Sequence, residues 1–357
     1  MNKKNNLLIS IDEYHARAKK LLKKSAFDYA DGGAGTEFAL KSERESLEKI
    51  RLISRVLTGN KSIDPSVNIL GQKHRLPILI APTAYHGLFN ADGELATVRA
   101  SKAFDCGMVL STMSTTKMET ISKNGSDKMW FQLYVYRDRK ITEALLKRVE
   151  KAGFKAIVLT VDLPVMGIRY RDLKNNFKLP KGVVAANALP FLNEQVDVPL
   201  GQFVTEQLEP SLSWNDISWI RSISSLPIIL KGILNPRDAL RAKREGLQGI
   251  VVSSHGARQL DSLVSPIDIL PSVRKAVGDS FLVMADGGIR NGGDIVRFLC
   301  SGASAVLIGR PVIWGLSVDG TNGVLSVLSL LERELLNHMH ILGVGKINQF
   351  DESFIFK

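Results

Sequence analysis

Eight times from residue 77 onward the chain repeats one phrase. A short, β-branched apolar run ends in polar residues or glycine, and an amphipathic helical pattern follows. The runs are residues 77–82, 108–111, 129–134, 156–162, 227–231, 249–253, 281–286 and 305–309. Their apolarity is continuous rather than alternating, as in Ile157-Val158-Leu159 and Ile250-Val251-Val252. Strands read this way when both faces are covered, as in a parallel sheet wrapped by helices. Eight strand-plus-helix units is the number that closes an α/β barrel of the (β/α)8, or TIM, type. The rival is an open doubly wound sheet, which more often carries a G-x-G-x-x-G turn after its first strand; none is present.

Helices are expected between the strands. Ile141, Leu145 and Val149 repeat at helical spacing in a segment 141–152 that closes at Gly153. Ser213-Trp214-Asn215-Asp216 has the capping-box spacing of a helix start, and Pro236 after Asn235 suits a first helical position.

The 357 residues are read as one domain, since barrels of this type run to about 250 residues as a unit. Residues 1–76 form an N-terminal helical cap over one end, and 77–357 form the barrel. Within it, 163–212 is a long lid or binding loop after the fourth strand, punctuated by Pro180, Pro190, Pro199 and Pro210. Its apolar stretch 182–192 is too short to span a bilayer.

An apolar content of 45% with 23% charged residues excludes disorder and coiled coil. No window approaches the ~18 apolar residues of a membrane span. After Lys3 and Lys4 only Leu7-Leu8-Ile9 precedes Ser10, too little for a signal-peptide core. Cys106 and Cys300 lie in apolar segments and read as free thiols of a reducing cytoplasm rather than a disulfide or a metal site; no metal is expected. The net charge of +11 is spread over helix faces, with no basic run interleaved with aromatics, so nucleic acid is not expected. A positive field of this kind attracts small anions.

Polar residues gather where the apolar runs end: Thr83, Ser111, Gln132 and Tyr134, Thr160 and Asp162, Lys231, Ser253 to Arg258, Asp286, and Gly309-Arg310. In a barrel these positions share one rim, the one on which active sites are built. Asp286-Gly287-Gly288-Ile289-Arg290 and Gly309-Arg310-Pro311 close strands seven and eight. Glycines that admit an anion, free N–H groups of the next helix and two arginines together read as a phosphate site. His255 suits proton transfer near neutral pH, and Arg258 and Arg169 suit a two-point grip on a carboxylate. Asp162 is placed to orient the imidazole. Lys231, at the end of an apolar strand, needs an anionic partner if buried.

These motifs resemble the FMN-dependent α-hydroxy-acid oxidases and dehydrogenases, the family of glycolate, lactate and hydroxymandelate oxidases. The resemblance rests on Ser253-x-His255-Gly256-Ala257-Arg258-Gln259-Leu260-Asp261. It extends through Phe27-Asp28-Tyr29, Ala81-Pro82-Thr83-Ala84, Phe131-Gln132-Leu133-Tyr134, Leu159-Thr160-Val161-Asp162, Leu230-Lys231-Gly232 and the two phosphate motifs. It implies His255 as catalytic base with Asp162 pairing it, Arg258, Arg169 and Tyr29 on the substrate carboxylate, and Tyr134 on the substrate hydroxyl. It also implies Lys231 near the flavin N1 and O2. Thr83, Ala84, Ser111, Gln132 and Thr160 would line the isoalloxazine with Ser253 beside it, and Asp286, Gly288, Arg290, Gly309 and Arg310 would hold the ribityl phosphate. A cytoplasmic homotetramer with O2 as acceptor is the implied form.

Ser254 departs from the family, which usually has Asn there, and a shorter side chain is expected to slacken the loop that carries His255. Met113 stands where glycolate oxidase has tryptophan. The pattern Gly32-Gly33-Ala34-Gly35-Thr36-Glu37 and the pair Tyr85 and Phe89 are more similar to hydroxymandelate oxidases, and Ala84 leans toward an oxidase. The competing readings are a family dehydrogenase that passes electrons to a quinone or cytochrome, a flavin-free barrel lyase or isomerase acting on a phosphorylated substrate, and a barrel kept for binding alone.

Overall fold

The computed structural model describes residues 8–191 and 200–356. A hairpin of β1 (Val67–Ile69) and β2 (Gln72–His74) precedes eight parallel strands: β3 (Ile78–Ile80), β4 (Gly107–Leu110), β5 (Met129–Leu133), β6 (Ile157–Thr160), β7 (Ile228–Ile233), β8 (Gly249–Val252), β9 (Leu282–Ala285) and β10 (Ala305–Ile308). β10 pairs with both β9 and β3, so the ring closes in the order of the chain. The open-sheet alternative is thereby excluded, and the (β/α)8 barrel stands.

Both strand faces are buried, which is why the runs do not alternate. Leu79, Val109, Trp130, Val158, Ile229, Val251, Met284 and Leu307 fill the interior with Ile69 of the hairpin. Their neighbours Ile78, Ile80, Met108, Phe131, Leu159 and Leu230 face the helices. A buried side chain of this size is worth roughly 1.5–3 kcal/mol, so two faces per strand hold the ring.

Residues ahead of the barrel form helices Ile11–Leu21, Lys24–Asp31 and Phe38–Lys49. The first is capped as its sequence dictates, Ser10 accepting from the Glu13 N–H. The hairpin was not anticipated: its strands are three residues long, below the length at which periodicity carries information.

Three local expectations meet different outcomes. The helix expected over 141–152 runs Arg139–Lys151 and turns at Gly153, whose φ is +85°. Pro236 opens a helix capped by Asn235, whose side chain accepts from the Arg237 N–H. At Ser213 the capping box is only half made. Asp216 accepts from the Ser213 N–H at 2.6 Å, but the serine hydroxyl also turns to Asp216, and the helix begins at Asn215. The segment 163–212 is not a structureless loop: it holds helices Tyr170–Lys174 and Leu200–Gln207 and a helical turn Leu189–Phe191. Residues 192–199, including Pro199, lie outside the described residues, as do Lys3, Lys4 and Leu7. Cys106 and Cys300 are buried and free, and burial pushes both thiols up to about 12. Among the described residues no helix is long and apolar enough to cross a membrane.

Candidate active site

The carboxyl ends of the strands open into a cleft that encloses about 1310 Å³ out to its mouth. Its lining includes every residue given a catalytic, substrate or cofactor role from the sequence except Asp162 and Ser253. Those two stand one layer behind it and hold residues that do line it.

Beyond β8 the chain turns through three successive residues with positive φ: His255 (59°), Gly256 (62°) and Ala257 (57°). For the two non-glycine residues this backbone costs on the order of 1–3 kcal/mol each, which is tolerated where surrounding contacts fix it. The fixing contacts are present. The His255 N–H donates to Ser253 Oγ at 3.0 Å, and the Ala257 N–H donates to Ser254 Oγ at 3.0 Å. Ser254 also bonds to Glu43 of the helix Phe38–Lys49. With Ser254 in place of the Asn, a carboxyl from the N-terminal cap bonds the serine that holds the Ala257 N–H.

His255 Nδ1 lies 2.8 Å from Asp162 Oδ1, which accepts its proton and leaves Nε2 as the free base nitrogen. Tyr134 Oη lies 3.4 Å from that Nε2. Burial lowers the His255 pKa, and Lys231 and Arg169 lower it further against the opposing pull of Asp162. Burial works to raise Asp162, but His255 and Lys231 outweigh it and keep the carboxyl ionised. Room for Asp162 comes from β7. The strand shifts register between Lys231 and Ile233, and at Gly232 (φ 106°) a Cβ would lie 2.4 Å from the Asp162 carboxyl carbon.

Lys231 has the partners its burial requires: Nζ sits 2.8 Å from Ser253 Oγ and 3.2 Å from Asp286 Oδ2. Burial pulls its pKa down, yet Asp286 and Asp162 raise it overall, so the side chain is a cation in the cleft. Gln132 is fixed in one orientation, its Oε1 accepting from the Thr112 N–H at 3.1 Å and its Nε2 donating to Thr160 at 3.1 Å. Ser111 donates to the same Oε1. Thr83 contacts buried His86 at 2.5 Å.

Arg169 and Arg258 meet over the tyrosines. Arg258 stacks 5.2 Å above the Tyr29 ring and donates to the Gly32 carbonyl, and Arg169 Nε donates to the Arg258 carbonyl. Arg169 is 7% exposed, and burial, with Arg258 adding to it, brings its pKa down to about 10. Asp172, 3.8 Å away, is the one carboxylate paired with Arg169 among the described residues. A buried Arg169 and a half-buried Arg258 with this little compensation form a site for an anion, and their planar forks suit a carboxylate.

A second, adjoining group of cleft residues suits FMN; Arg310 shares the Gly32 carbonyl with Arg258. Asp286 Oδ1 is buried without a partner, an acceptor ready for a polyol hydroxyl. Gly287 and Gly288 have φ of 108° and 70°, a backbone conformation that glycine adopts without strain. Arg290 stacks 4.7 Å over Trp314, and the helix Arg310–Leu342 begins at the cleft behind Gly309. Burial brings Arg290 and Arg310 down to about 10, still fully charged at neutral pH. A phosphate fits cations and a helix N-terminus so arranged.

Several wall residues were not read from the sequence. Leu163, Met166, Leu200, Val204 and Leu208 line the cleft beside Met113, Tyr85 and Phe89. The i, i+4 spacing of Leu200, Val204 and Leu208 was the available signal. Glu43 gave none, being one acid in a charged helix.

The family model described as "FMN-dependent dehydrogenase" matches residues 18–357. A 2-hydroxyacid oxidase of Dictyostelium discoideum is 44% identical, the match covering 99% of this chain and 92% of that protein. An L-lactate oxidase of Nostoc sp. is also 44% identical, over 97% of this chain and 98% of the other. Among solved structures, mandelate oxidase with (S)-4-hydroxymandelic acid superposes with a TM-score of 0.91 at 39% identity, covering 96% of this chain and 97% of that one.

Proposed function

The chain belongs to the FMN-dependent dehydrogenase family, and from that premise we propose that it oxidises an (S)-2-hydroxy acid to the 2-oxo acid, with O2 reduced to H2O2. FMN is its cofactor and, when bound, accepts the two electrons that leave the substrate carbon. The observation that carries the reading is the convergence of a neutral imidazole nitrogen, a tyrosine hydroxyl and two guanidiniums on one cleft.

Arg169 and Arg258 bind the substrate carboxylate, and Tyr29 supports the second of them by its ring. Tyr134 Oη, protonated because burial raises its pKa, donates to the substrate hydroxyl and orients it toward His255 Nε2. That nitrogen takes up a proton as the C–OH becomes C=O. Asp162 then faces an imidazolium rather than an imidazole, which its ionised carboxylate stabilises. Lys231 holds positive charge where the resemblance places the flavin N1 and O2. Thr83, Ala84, Ser111, Gln132 and Thr160 are assigned to the isoalloxazine, with Ser253 beside it. Asp286, Gly288, Arg290, Gly309 and Arg310 are assigned to the ribityl phosphate.

We read the molecule as a cytoplasmic homotetramer. The resemblance supports this, as do exposed apolar side chains on the carboxyl-end segments, Ile168 at 66% and Leu173 at 67% exposure. The acceptor is tested by stoichiometry. With a turning-over 2-hydroxy acid in air, peroxide and 2-oxo acid should form one to one. Product formed only when an artificial electron acceptor is added, with no peroxide, would make the protein a dehydrogenase instead.

A further inference from the structure

Glu43 has no part in the mechanism above, yet it is 2% exposed and stands directly behind the assigned phosphate cradle. A Cβ on Gly287 would lie 3.3 Å from its carboxyl carbon, and one on Gly288 would lie 3.2 Å from its main-chain oxygen. Oε1 is bonded to Ser254, while Oε2 is buried without a partner. We propose that Glu43 is carried as the neutral acid while FMN is bound, so that the protein takes up a proton with the cofactor and releases FMN more readily once that proton is lost.

The argument is first one of solvation. An ionised carboxylate with one bare buried oxygen is costly, and a protonated one is much less so. It is then one of charge. The groups that face Glu43 are Arg310 after β10, Arg290 and Asp286 after β9, and Lys231 of β7. Arg290 and Arg310 also face Asp31, so three cations stand against two carboxylates, a surplus of one positive charge, which a phosphate monoester close to −2 above its second pKa of about 6 already exceeds. An ionised Glu43 would add further buried negative charge to the bound assembly. Arg44, its neighbour on the helix, is already engaged by the Gly288 carbonyl at 2.5 Å and Asp294 at 2.6 Å. Burial pushes the Glu43 carboxyl up to about 7 against the pull of Ser254 and Arg310. A phosphate in the cradle adds a like charge and moves it in the same direction.

The inference rests on the cradle assignment, and the experiment separates the two. Holoenzyme is diluted in buffers from pH 6 to 9, and FMN release is read from the recovery of flavin fluorescence. Wild type should lose affinity by up to about tenfold per pH unit above 7, the limit for one linked proton. Glu43→Gln, neutral at every pH, should be flat from pH 7 to 9 and hold FMN at least tenfold more tightly than wild type at pH 9. Protein exchanged into riboflavin, which lacks the phosphate, should show no slope. A flat wild type, a slope kept by Glu43→Gln, or an equal slope with riboflavin overturns the proposal. If Glu43→Gln fails to fold, the comparison of FMN with riboflavin in wild type decides alone. Arg290→Met that retains FMN as wild type does would remove the cradle assignment itself. Impaired retention in Arg290→Met beside a pH-flat wild type would remove only the role of Glu43.

Discussion

As the proposed base, His255 acts only while neutral, and its surroundings favour that state. Burial lowers its pKa below the ordinary 6.5, and Lys231 and Arg169 act in the same direction. A depressed histidine pKa means activity is lost only as the pH falls below 6.5. The acid limb of kcat/KM should therefore have its midpoint under 6.5, and a midpoint at 7 or above would contradict the environment described. Asp162→Asn removes the one charge that raises the pKa, so the limb should move to lower pH while kcat falls. His255→Gln should keep FMN, since the residue holds no part of the cradle, and should lose about 10²–10⁴ in kcat, the usual worth of a general base. Turnover within a few-fold of wild type would clear His255 of the role. At this scale the sequence pointed to the strand-end residues that line the cleft, because an isolated polar residue after an apolar run is visible without coordinates. It could not show Glu43 reaching Ser254, a contact across 211 positions between two residues unremarkable in themselves.

Strand ends and helix starts supply the geometry of the site. β7 carries a register shift at Gly232 that seats Asp162, and β8 hands over to a strained turn that aims His255. The strands were legible because continuous apolar runs of four to seven residues ending in polar residues or glycine are a strong pattern. The three-residue hairpin and the helices inside 163–212 were not, since proline spacing there spoke for loop and packing against the cleft decided otherwise. A second element-level constraint lies in the helix Arg310–Leu342, which breaks at Asp319 and Gly320. Its two stretches meet glycine to glycine: a Cβ on Gly323 would sit 1.9 Å from the Gly315 carbonyl oxygen. That contact is with backbone, so neither side can give way cheaply. Gly323→Ala should destabilise the fold by at least the 1–3 kcal/mol typical of overpacking, seen as a lower Tm with FMN bound. An unchanged Tm would mean the crossing is looser than the structure has it.

For the whole molecule, closing the ring brings residues from eight strands to one rim. Residues as far apart as Tyr29 and Arg310 share the cleft for this reason, and so do the two kinds of anion site. The cleft gathers Arg169 and Arg258, proposed for a carboxylate, and Arg290 and Arg310, proposed for a phosphate, together with His255, Lys231 and Gln132; the two groups adjoin, since Arg258 and Arg310 donate to the same Gly32 carbonyl. The most direct check is anaerobic absorbance of the purified yellow protein during titration with a panel of 2-hydroxy acids, from glycolate and L-lactate to (S)-mandelate. The flavin band should bleach with at least one (S)-2-hydroxy acid, and the corresponding 2-oxo acid should appear in equal amount. A protein that binds FMN yet keeps its full visible spectrum against the whole panel would contradict the account.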